Sequence, residues 1–305
     1  MRILYIGGYG RSGSTLLERI LSGNPRFLAT GELVNLPTVA ARGQASCSCG
    51  EKLDACPLWG SVLGALNLNN PASLMRVERR LESLPRGLIA GMVPAWRRAY
   101  RSYQRALFEA IGAAAERDEC LVIDSSKTAW KCALRPIALS RIAGLDLMMI
   151  HLVRDGRGCI WSNLRGSNRK LESGEEDVHV RFAALRTSAS WLIANASALL
   201  GGMLLGRGRY MMLRYEALVE EPRDTLACVS RFTGVDLSAE IAALARGESV
   251  SLAHQVAGNR MRSERGLVLR PDVEWMSKLG CWRQALYFFV NWSLHLLFRR
   301  ARKRR

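Results

Sequence analysis

Acidic residues are scarce in this sequence of 305 residues. The chain has 27 Asp and Glu against 44 Lys and Arg, which gives a formal net charge of +17. A field of that sign attracts polyanions, so nucleic acids, anionic lipid surfaces and small molecules with phosphate or sulfate groups are all compatible partners. Hydrophobic residues make up 49% of the chain and the mean hydropathy is −0.01. These values exclude a disordered, fibrous or polytopic membrane protein.

We also expect no secretory signal, because residues 1–9 form only a short apolar stretch that runs into a glycine-rich turn. The eight cysteines are mostly scattered, as expected of reduced core thiols in a cytoplasmic protein. Only Cys47, Cys49 and Cys56 cluster, as C-x-C-x6-C. A zinc site usually has four ligands at CxxC-type spacing. We therefore interpret these residues as thiols that pack a loop, and we predict no metal.

Two apolar stretches resemble membrane spans in composition. Residues 187–206 carry no charge but contain Ser188, Asn195 and Ser197, which favours a buried core helix. Residues 285–298 are shorter than a span and are followed by a basic tail. We favour a terminal helix that packs on the domain. The alternative is peripheral contact between this C-terminus and the anionic inner membrane surface.

Four apolar runs predict β-strands, at residues 2–6, 121–123, 147–153 and 210–213. Helical patterns fill the gaps, most clearly at residues 93–115, 180–205 and 222–233. This alternation predicts an α/β fold, with a P-loop-like parallel β-sheet flanked by helices on both faces. We expect one domain over residues 1–283 with a Cys/Pro-rich insertion at about 43–70, followed by an apolar helix and basic tail at 284–305.

Polar side chains follow each of the four predicted strands. These pairs are Arg11 and Ser12, Asp124 and Lys127, Arg154 and Asp155, and Tyr215 and Glu216. In open α/β sheets the ligand binds beyond the carboxyl ends of the strands. We therefore expect one crevice to collect several basic and hydroxyl groups.

A glycine loop follows the first predicted strand. Gly8-x4-Gly13-Ser14-Thr15 nearly matches the phosphate-binding pattern G-x4-G-K-[ST], in which backbone N–H groups and a helix N-terminus hold anionic oxygens. Ser14 stands where that pattern has Lys, and a cation, Arg11, lies inside the loop instead. Chemistry on nucleoside triphosphates needs that Lys and a Mg²⁺ ligand. A P-loop kinase-like transferase is therefore a less favoured alternative.

A basic polyanion-binding or nucleic-acid-binding protein is the second alternative, because the net charge alone would suit it. However, the sequence has no helix-turn-helix pattern, zinc finger or aromatic RNA-binding signature. We therefore expect no nucleic-acid partner.

Three motifs resemble those of sulfotransferases that use 3′-phosphoadenosine 5′-phosphosulfate (PAPS). GRSGSTLL at residues 10–17 resembles the family's 5′-phosphosulfate loop. HLVRDGR at residues 151–157, with Ser162 eight residues after Arg154, is similar to the 3′-phosphate motif. RYEAL at residues 214–218 is similar to a later strand-end segment. The pattern is most similar to bacterial and tyrosylprotein sulfotransferases.

The resemblance implies a sulfotransferase fold and the transfer of a sulfuryl group from PAPS, without a metal, to a hydroxyl of a carbohydrate, a glycolipid, a phenol or a tyrosine. It implies a PAPS site formed by Arg11, Ser12, Gly13, Ser14, Thr15, Arg154, Ser162, Tyr215, Asn259 and Arg260. The implied catalytic residues are Arg11, Lys127 and a partly desolvated base, Glu32. His254 is a rival candidate for the base, because another branch of the family uses His.

Overall fold

Five parallel strands form the centre of the computed structural model, which describes residues 1–41, 46–66, 71–117, 119–166, 179–248, 254–257 and 269–300. The strands are β1 Arg2–Gly7, β2 Phe27–Gly31, β3 Leu121–Asp124, β4 Leu147–Val153 and β5 Tyr210–Arg214. They pair in the order β2-β3-β1-β4-β5. The four strands expected from the sequence are present. The sequence analysis did not predict β2, so the predicted number of strands was too small.

Helices cover the sheet on both faces, as predicted. They are α1 Ser14–Leu21, α2 Leu36–Ala41, α3 Pro57–Leu66, α4 Pro71–Glu82, α5 Arg86–Ala90, α6 Pro94–Ala114, α7 Arg135–Ile137, α8 Gly156–Gly166, α9 His179–Leu205, α10 Tyr215–Glu220, α11 Pro222–Thr233, α12 Ser238–Ala245, α13 Glu274–Lys278 and α14 Cys281–Arg300. Helices α1, α10 and α11 pack on one face through residues such as Leu17 and Leu226. Helices α3 and α6 pack on the other face through residues such as Trp59 and Phe108. Part of the predicted insertion is thus a core helix, α3.

The apolar helix α9 contains the segment Phe182–Leu205, which is long and apolar enough to cross a membrane. Its side chains Trp191, Asn195 and Ala198 are buried. Helix α9 packs against β4 and α14. This placement agrees with the core helix predicted for residues 187–206.

The C-terminal helix α14 also packs on the body of the protein. Tyr287 and Phe298 are buried, and their rings lie 5.5 Å and 5.8 Å from the Trp191 ring in edge-on contact. On the opposite side of α14, Phe289 and Trp292 are exposed. The packing matches the favoured interpretation of this helix, whereas contact with a membrane surface stays a prediction.

A buried ionic cluster connects the end of β3 to the helices that cover it. Arg135 donates hydrogen bonds to Asp124 Oδ2 at 2.9 Å and to Glu82 Oε1 at 2.5 Å, and all three side chains are fully buried. Tyr100 Oη donates to Glu82 at 2.8 Å. Burial, together with the neighbouring Glu82 carboxylate, raises the pKa of the nearby Glu78 above its usual range. Arg135 thus pairs with both Asp124 and Glu82 in this cluster.

Replacing Arg135 by Met removes the cation and leaves buried carboxylates unpaired. We expect Arg135→Met to lower the free energy of unfolding by about 3–5 kcal/mol, which urea denaturation would measure. The exposed Arg98 on α6 offers a matched control, and Arg98→Met should change stability by less than about 0.5 kcal/mol. Equal unfolding midpoints for the two variants would contradict this account of the cluster.

Candidate functional site

The glycine loop lies between β1 and α1, and its conformation needs glycine at two positions. Gly8 has φ +117 and Gly13 has φ +91, a region that other residues rarely adopt. A Cβ atom would lie 2.3 Å from Leu152 O at Gly8 and 2.4 Å from the Tyr215 ring at Gly13. Gly13 is the N-cap of α1 and offers no side-chain cap. The N–H groups and positive end of α1 are therefore available to an anion.

Arg11 lies at the tip of this loop. Its φ of 68 is left-handed, which costs a non-glycine residue about 1–2 kcal/mol. The strained backbone is fixed by Arg154, whose Nη1 donates to Arg11 O at 2.8 Å, while the Arg11 side chain is exposed. A Cβ atom on the neighbouring Gly10 would meet no atom within 4 Å. The tip thus presents a cation beside open space.

Lys127 joins the loop to the predicted base. Its Nζ donates to Ser14 Oγ at 2.5 Å and to Ser125 O at 2.7 Å, and lies 3.2 Å from Glu32 Oε1. The Lys127 and Glu32 side chains are only 18% and 23% exposed. Residues that follow β1, β2 and β3 thus meet at one point. The positions after β1 and β3 were predicted from the strands, whereas Glu32 was a candidate only through the family resemblance. Glu32 is thus partly buried beside Lys127.

Backbone contacts place Glu32 at the end of β2. Its N–H donates to Ala257 O at 3.2 Å, and Asn35 Nδ2 donates to Glu32 Oε2 at 2.9 Å. Glu32 precedes a short 3₁₀ helix, Leu33–Asn35, without capping it through its side chain. The carboxylate therefore faces Lys127 and is not used as a helix cap.

The turn that carries Lys127 is held by buried hydrogen bonds. Asp124 Oδ1 accepts from Ser126 N at 2.9 Å, and Ser125 N donates to Gly31 O at 2.9 Å. Thr128 Oγ1 accepts from Gly8 N at 2.9 Å and donates to Ala194 O at 2.9 Å. The turn is thus tied to β2 on one side and to the glycine loop on the other.

Arg154 leaves β4 on the other side of the loop and is 7% exposed. Besides Arg11 O, its guanidinium binds the carboxylate of Asp272 and lies 4.5 Å from the centre of the Tyr215 ring. It also passes Gly158 on α8, where a Cβ atom would lie 3.1 Å from Arg154 Nε. Ser162 is four residues further along α8, on the same helix face. Arg154 and Tyr215 thus lie together on one side of the loop, and Ser162 is on the face of α8 that Arg154 passes.

Two further predicted residues of the PAPS site, Ser12 and Thr15, are buried in the loop and in the first turn of α1. Asn259 and Arg260 lie outside the described residues. The rival base His254 lies elsewhere, with Nδ1 3.3 Å from Cys56 Sγ. Glu32, and not His254, is the candidate base that contacts Lys127.

Comparison with known proteins shows the family of this chain. A model of the sulfotransferase family matches residues 4–239. The chain belongs to the sulfotransferase family. It has no match among curated proteins.

Solved sulfotransferase structures share its fold. The sulfotransferase domain of the Synechococcus PCC 7002 olefin synthase has a TM-score of 0.53 at 23% identity, over 94% of this chain and 93% of that one. The corresponding domain from the curacin biosynthetic pathway has a TM-score of 0.50 at 22% identity, over 93% and 95%. Mouse sulfotransferase SULT7A1, solved with PAP, has a TM-score of 0.50 at 11% identity, over 95% and 84%. The predicted sulfotransferase fold is confirmed.

The sulfotransferase also contains a buried carboxyl group that sequence reasoning missed. Glu18 lies on α1 within an apolar pattern, and is 1% exposed. Its Oε1 accepts from Gly31 N at 2.6 Å, directly before Glu32. Burial raises the pKa of Glu18 to about 7, even though the Ser125 hydroxyl and the Gly31 N–H favour its charged form. A charged residue on the apolar face of α1 was the available signal.

The raised pKa of Glu18 predicts a pH effect on stability. Between its ordinary pKa of 4.5 and about 7, the folded protein binds a proton at Glu18 that the unfolded chain does not. The contribution of Glu18 to stability therefore falls by about 3 kcal/mol as the pH rises through this window. Glu18→Gln keeps an acceptor for Gly31 N–H but cannot ionise. Over the same rise in pH, the stability of this variant should therefore increase by about 3 kcal/mol relative to that of wild type.

Urea denaturation of both proteins at about pH 5 and about pH 8 would measure this change. Glu109→Gln, at an exposed position on α6, controls for the loss of a carboxylate. A stability difference between wild type and Glu18→Gln that is the same at both pH values would show that Glu18 does not titrate in this range.

Proposed function

We propose that this sulfotransferase transfers a sulfuryl group from PAPS to a hydroxyl group of an acceptor. The observation that carries the proposal is the position of Lys127 Nζ, within contact of both Ser14 on the loop and Glu32 on β2. Family membership supports the reaction class. The mouse relative solved with PAP supports the nucleotide. When bound, PAPS supplies an activated sulfuryl group attached to a phosphate leaving group.

The loop suits the 5′ end of such a nucleotide. Its two left-handed glycines keep side chains out of the cradle, and the N-terminus of α1 is not capped by a side chain. Ser12, Ser14 and Thr15 supply hydroxyl groups, and Arg11 supplies a cation at the tip. Together these groups match the chemistry of a phosphosulfate.

Arg154 suits the 3′-phosphate, with Ser162 and Tyr215 beside it. Its guanidinium already holds a carboxylate, that of Asp272, so the position accepts an anion. A cavity of about 820 Å³ opens next to Arg154 and Tyr215, with Trp275 among its lining residues. The proposed nucleotide site also includes Asn259 and Arg260, as the family resemblance implies.

Three residues of the chain are assigned the remaining catalytic roles. In this proposal Glu32 takes the proton of the acceptor hydroxyl. Lys127 and Arg11 neutralise the negative charge that develops on the leaving phosphate oxygen. Fixed donors of this kind contribute about 3–4 kcal/mol each in comparable oxyanion sites. No metal ligand takes part in this assignment. The acceptor class, the cytoplasmic location and the membrane contact of the C-terminus stay predictions.

Removal of the Arg154 guanidinium should weaken nucleotide binding. We expect Arg154→Ala to bind the 3′,5′-bisphosphate product about 30-fold more weakly or worse, because a partly buried charge-assisted contact is lost. Calorimetric titration without added metal would measure the dissociation constant. Arg165→Ala is the control, since Arg165 is an exposed cation near the end of α8. Unchanged affinity in Arg154→Ala, or strict dependence on Mg²⁺ and ATP, would contradict the proposal and favour the kinase-like alternative.

Removal of the Glu32 charge should separate binding from turnover. Glu32→Gln keeps the shape of the side chain, so bisphosphate affinity should change little, whereas sulfuryl transfer should fall by about 10²–10⁴-fold because the base is lost. The assay is transfer of radiolabelled sulfate from PAPS into extracts of the source cell, with the product identified by mass spectrometry. Glu109→Gln should transfer like wild type. Full transfer by Glu32→Gln would exclude Glu32 as the base.

A further inference from the structure

Three thiols and one imidazole meet outside the proposed nucleotide site. Cys49 Sγ lies 3.8 Å from Cys56 Sγ, and His254 Nδ1 lies 3.3 Å from Cys56 Sγ and 3.8 Å from Cys47 Sγ. The four ligand atoms all lie within 4.8 Å of one another. The sequence showed only the three cysteines, and His254 joins them from a segment 198 residues beyond Cys56.

These separations fit a single tetrahedral ion. Zinc binds thiolate sulfur at about 2.3 Å and imidazole nitrogen at about 2.0–2.1 Å. A tetrahedron with those bonds places two sulfurs about 3.8 Å apart, and a sulfur and a nitrogen about 3.6 Å apart. The observed distances of 3.8, 3.3 and 3.8 Å lie close to these values. Thiolate and imidazole ligands in a tetrahedron are the set that favours zinc.

The chain around the cysteines is folded as a tight turn that directs the thiols inward. Cys47 N donates to Glu51 O at 2.8 Å, and Gly50 N donates back to Cys47 O at 3.0 Å. Gly50 has φ +101, with open space where a Cβ atom would be, so glycine serves the backbone conformation there. Cys56 ends the turn directly before α3, and its N–H donates to Lys52 O at 2.8 Å.

Separate contacts hold the histidine segment against this turn. Trp59 Nε1 donates to His254 O at 2.6 Å. Gln255 N donates to Ser48 Oγ at 2.8 Å, and Ser48 N donates to Gln255 O at 3.2 Å. The imidazole is therefore placed by its backbone, independently of the thiols. Core packing of thiols would not require an imidazole nitrogen aimed at two of them.

We propose that Cys47, Cys49, Cys56 and His254 bind one Zn²⁺ ion. All four tetrahedral positions are filled by protein side chains, which is the arrangement of structural zinc and leaves no open position for a substrate. The site revises the interpretation of the three cysteines as loop thiols, because the fold supplies the fourth ligand that the sequence pattern lacked.

The position of the site indicates what the ion stabilises. The segment that carries His254 continues along the end of β2, where Val256 N donates to Thr30 O at 2.9 Å and Glu32 N donates to Ala257 O at 3.2 Å. A zinc ion would clamp this segment to the turn at residues 47–56. It would therefore fix the backbone that accepts a hydrogen bond from Glu32.

Metal analysis of the whole purified chain tests the proposal. Protein prepared without chelators should contain about one zinc per chain, and X-ray absorption should show three sulfurs at about 2.3 Å and one nitrogen at about 2.0–2.1 Å. Replacement by Co²⁺ should give the thiolate charge-transfer and visible bands of a tetrahedral site. These measurements use wild-type protein, so they do not depend on a variant that folds.

Variants then assign the ligands. Cys56→Ser and His254→Gln should lose most of the zinc and lower the melting temperature, and a chelator should lower that of wild type. Cys281→Ser, at an exposed cysteine, should keep both zinc and stability. Protein without zinc whose three thiols stay freely reactive in the presence of added Zn²⁺ would overturn the proposal. A disulfide between Cys49 and Cys56 in protein purified under reducing conditions would also overturn it. Each outcome is read without an activity assay, so it is independent of the proposed sulfuryl transfer.

Discussion

The geometry of the site depends on the contacts of the Lys127 ammonium group. It binds Ser14 at the start of α1, a carbonyl of its own turn, and the Glu32 carboxylate after β2. In loops that bind nucleoside triphosphates the position of Ser14 is lysine, whereas here Ser14 accepts a hydrogen bond from Lys127. Those loops contain the cation themselves, whereas here the cation is Lys127, in the turn that follows β3.

The buried ionic cluster around Arg135, at the end of β3, helps to hold Lys127 in place. Asp124 uses one carboxylate oxygen to hold Ser126 and the other to pair with Arg135, which in turn contacts Glu82 on α4. The turn with Lys127 is therefore anchored to the helical layer as well as to the sheet. Because a buried cluster of this kind loses its compensation when one partner is removed, the stability of the core and the geometry of the site are coupled.

The sequence predicted those features that depend on local patterns. The run of seven buried residues in β4 and the glycine loop after β1 are continuous signals, and the polar residues at strand ends followed from them. Strand β2 was missed because it is short and ends in Ala29, Thr30 and Gly31, which resemble a loop. The contacts of Glu18 and His254 were not predicted, for another reason. Their partners lie on other elements, so only the fold shows what they contact.

The parts of the chain beyond the family match still belong to the site. The family model ends at residue 239, yet Ala257 contacts Glu32 and Asp272 contacts Arg154. These two contacts lie on opposite sides of the glycine loop, one beside the proposed base and one beside the proposed phosphate site. In this chain Trp59 and Ser48 bind the segment at His254 and Gln255 on the side of Glu32, whereas the ion pair of Asp272 with Arg154 holds it on the other side.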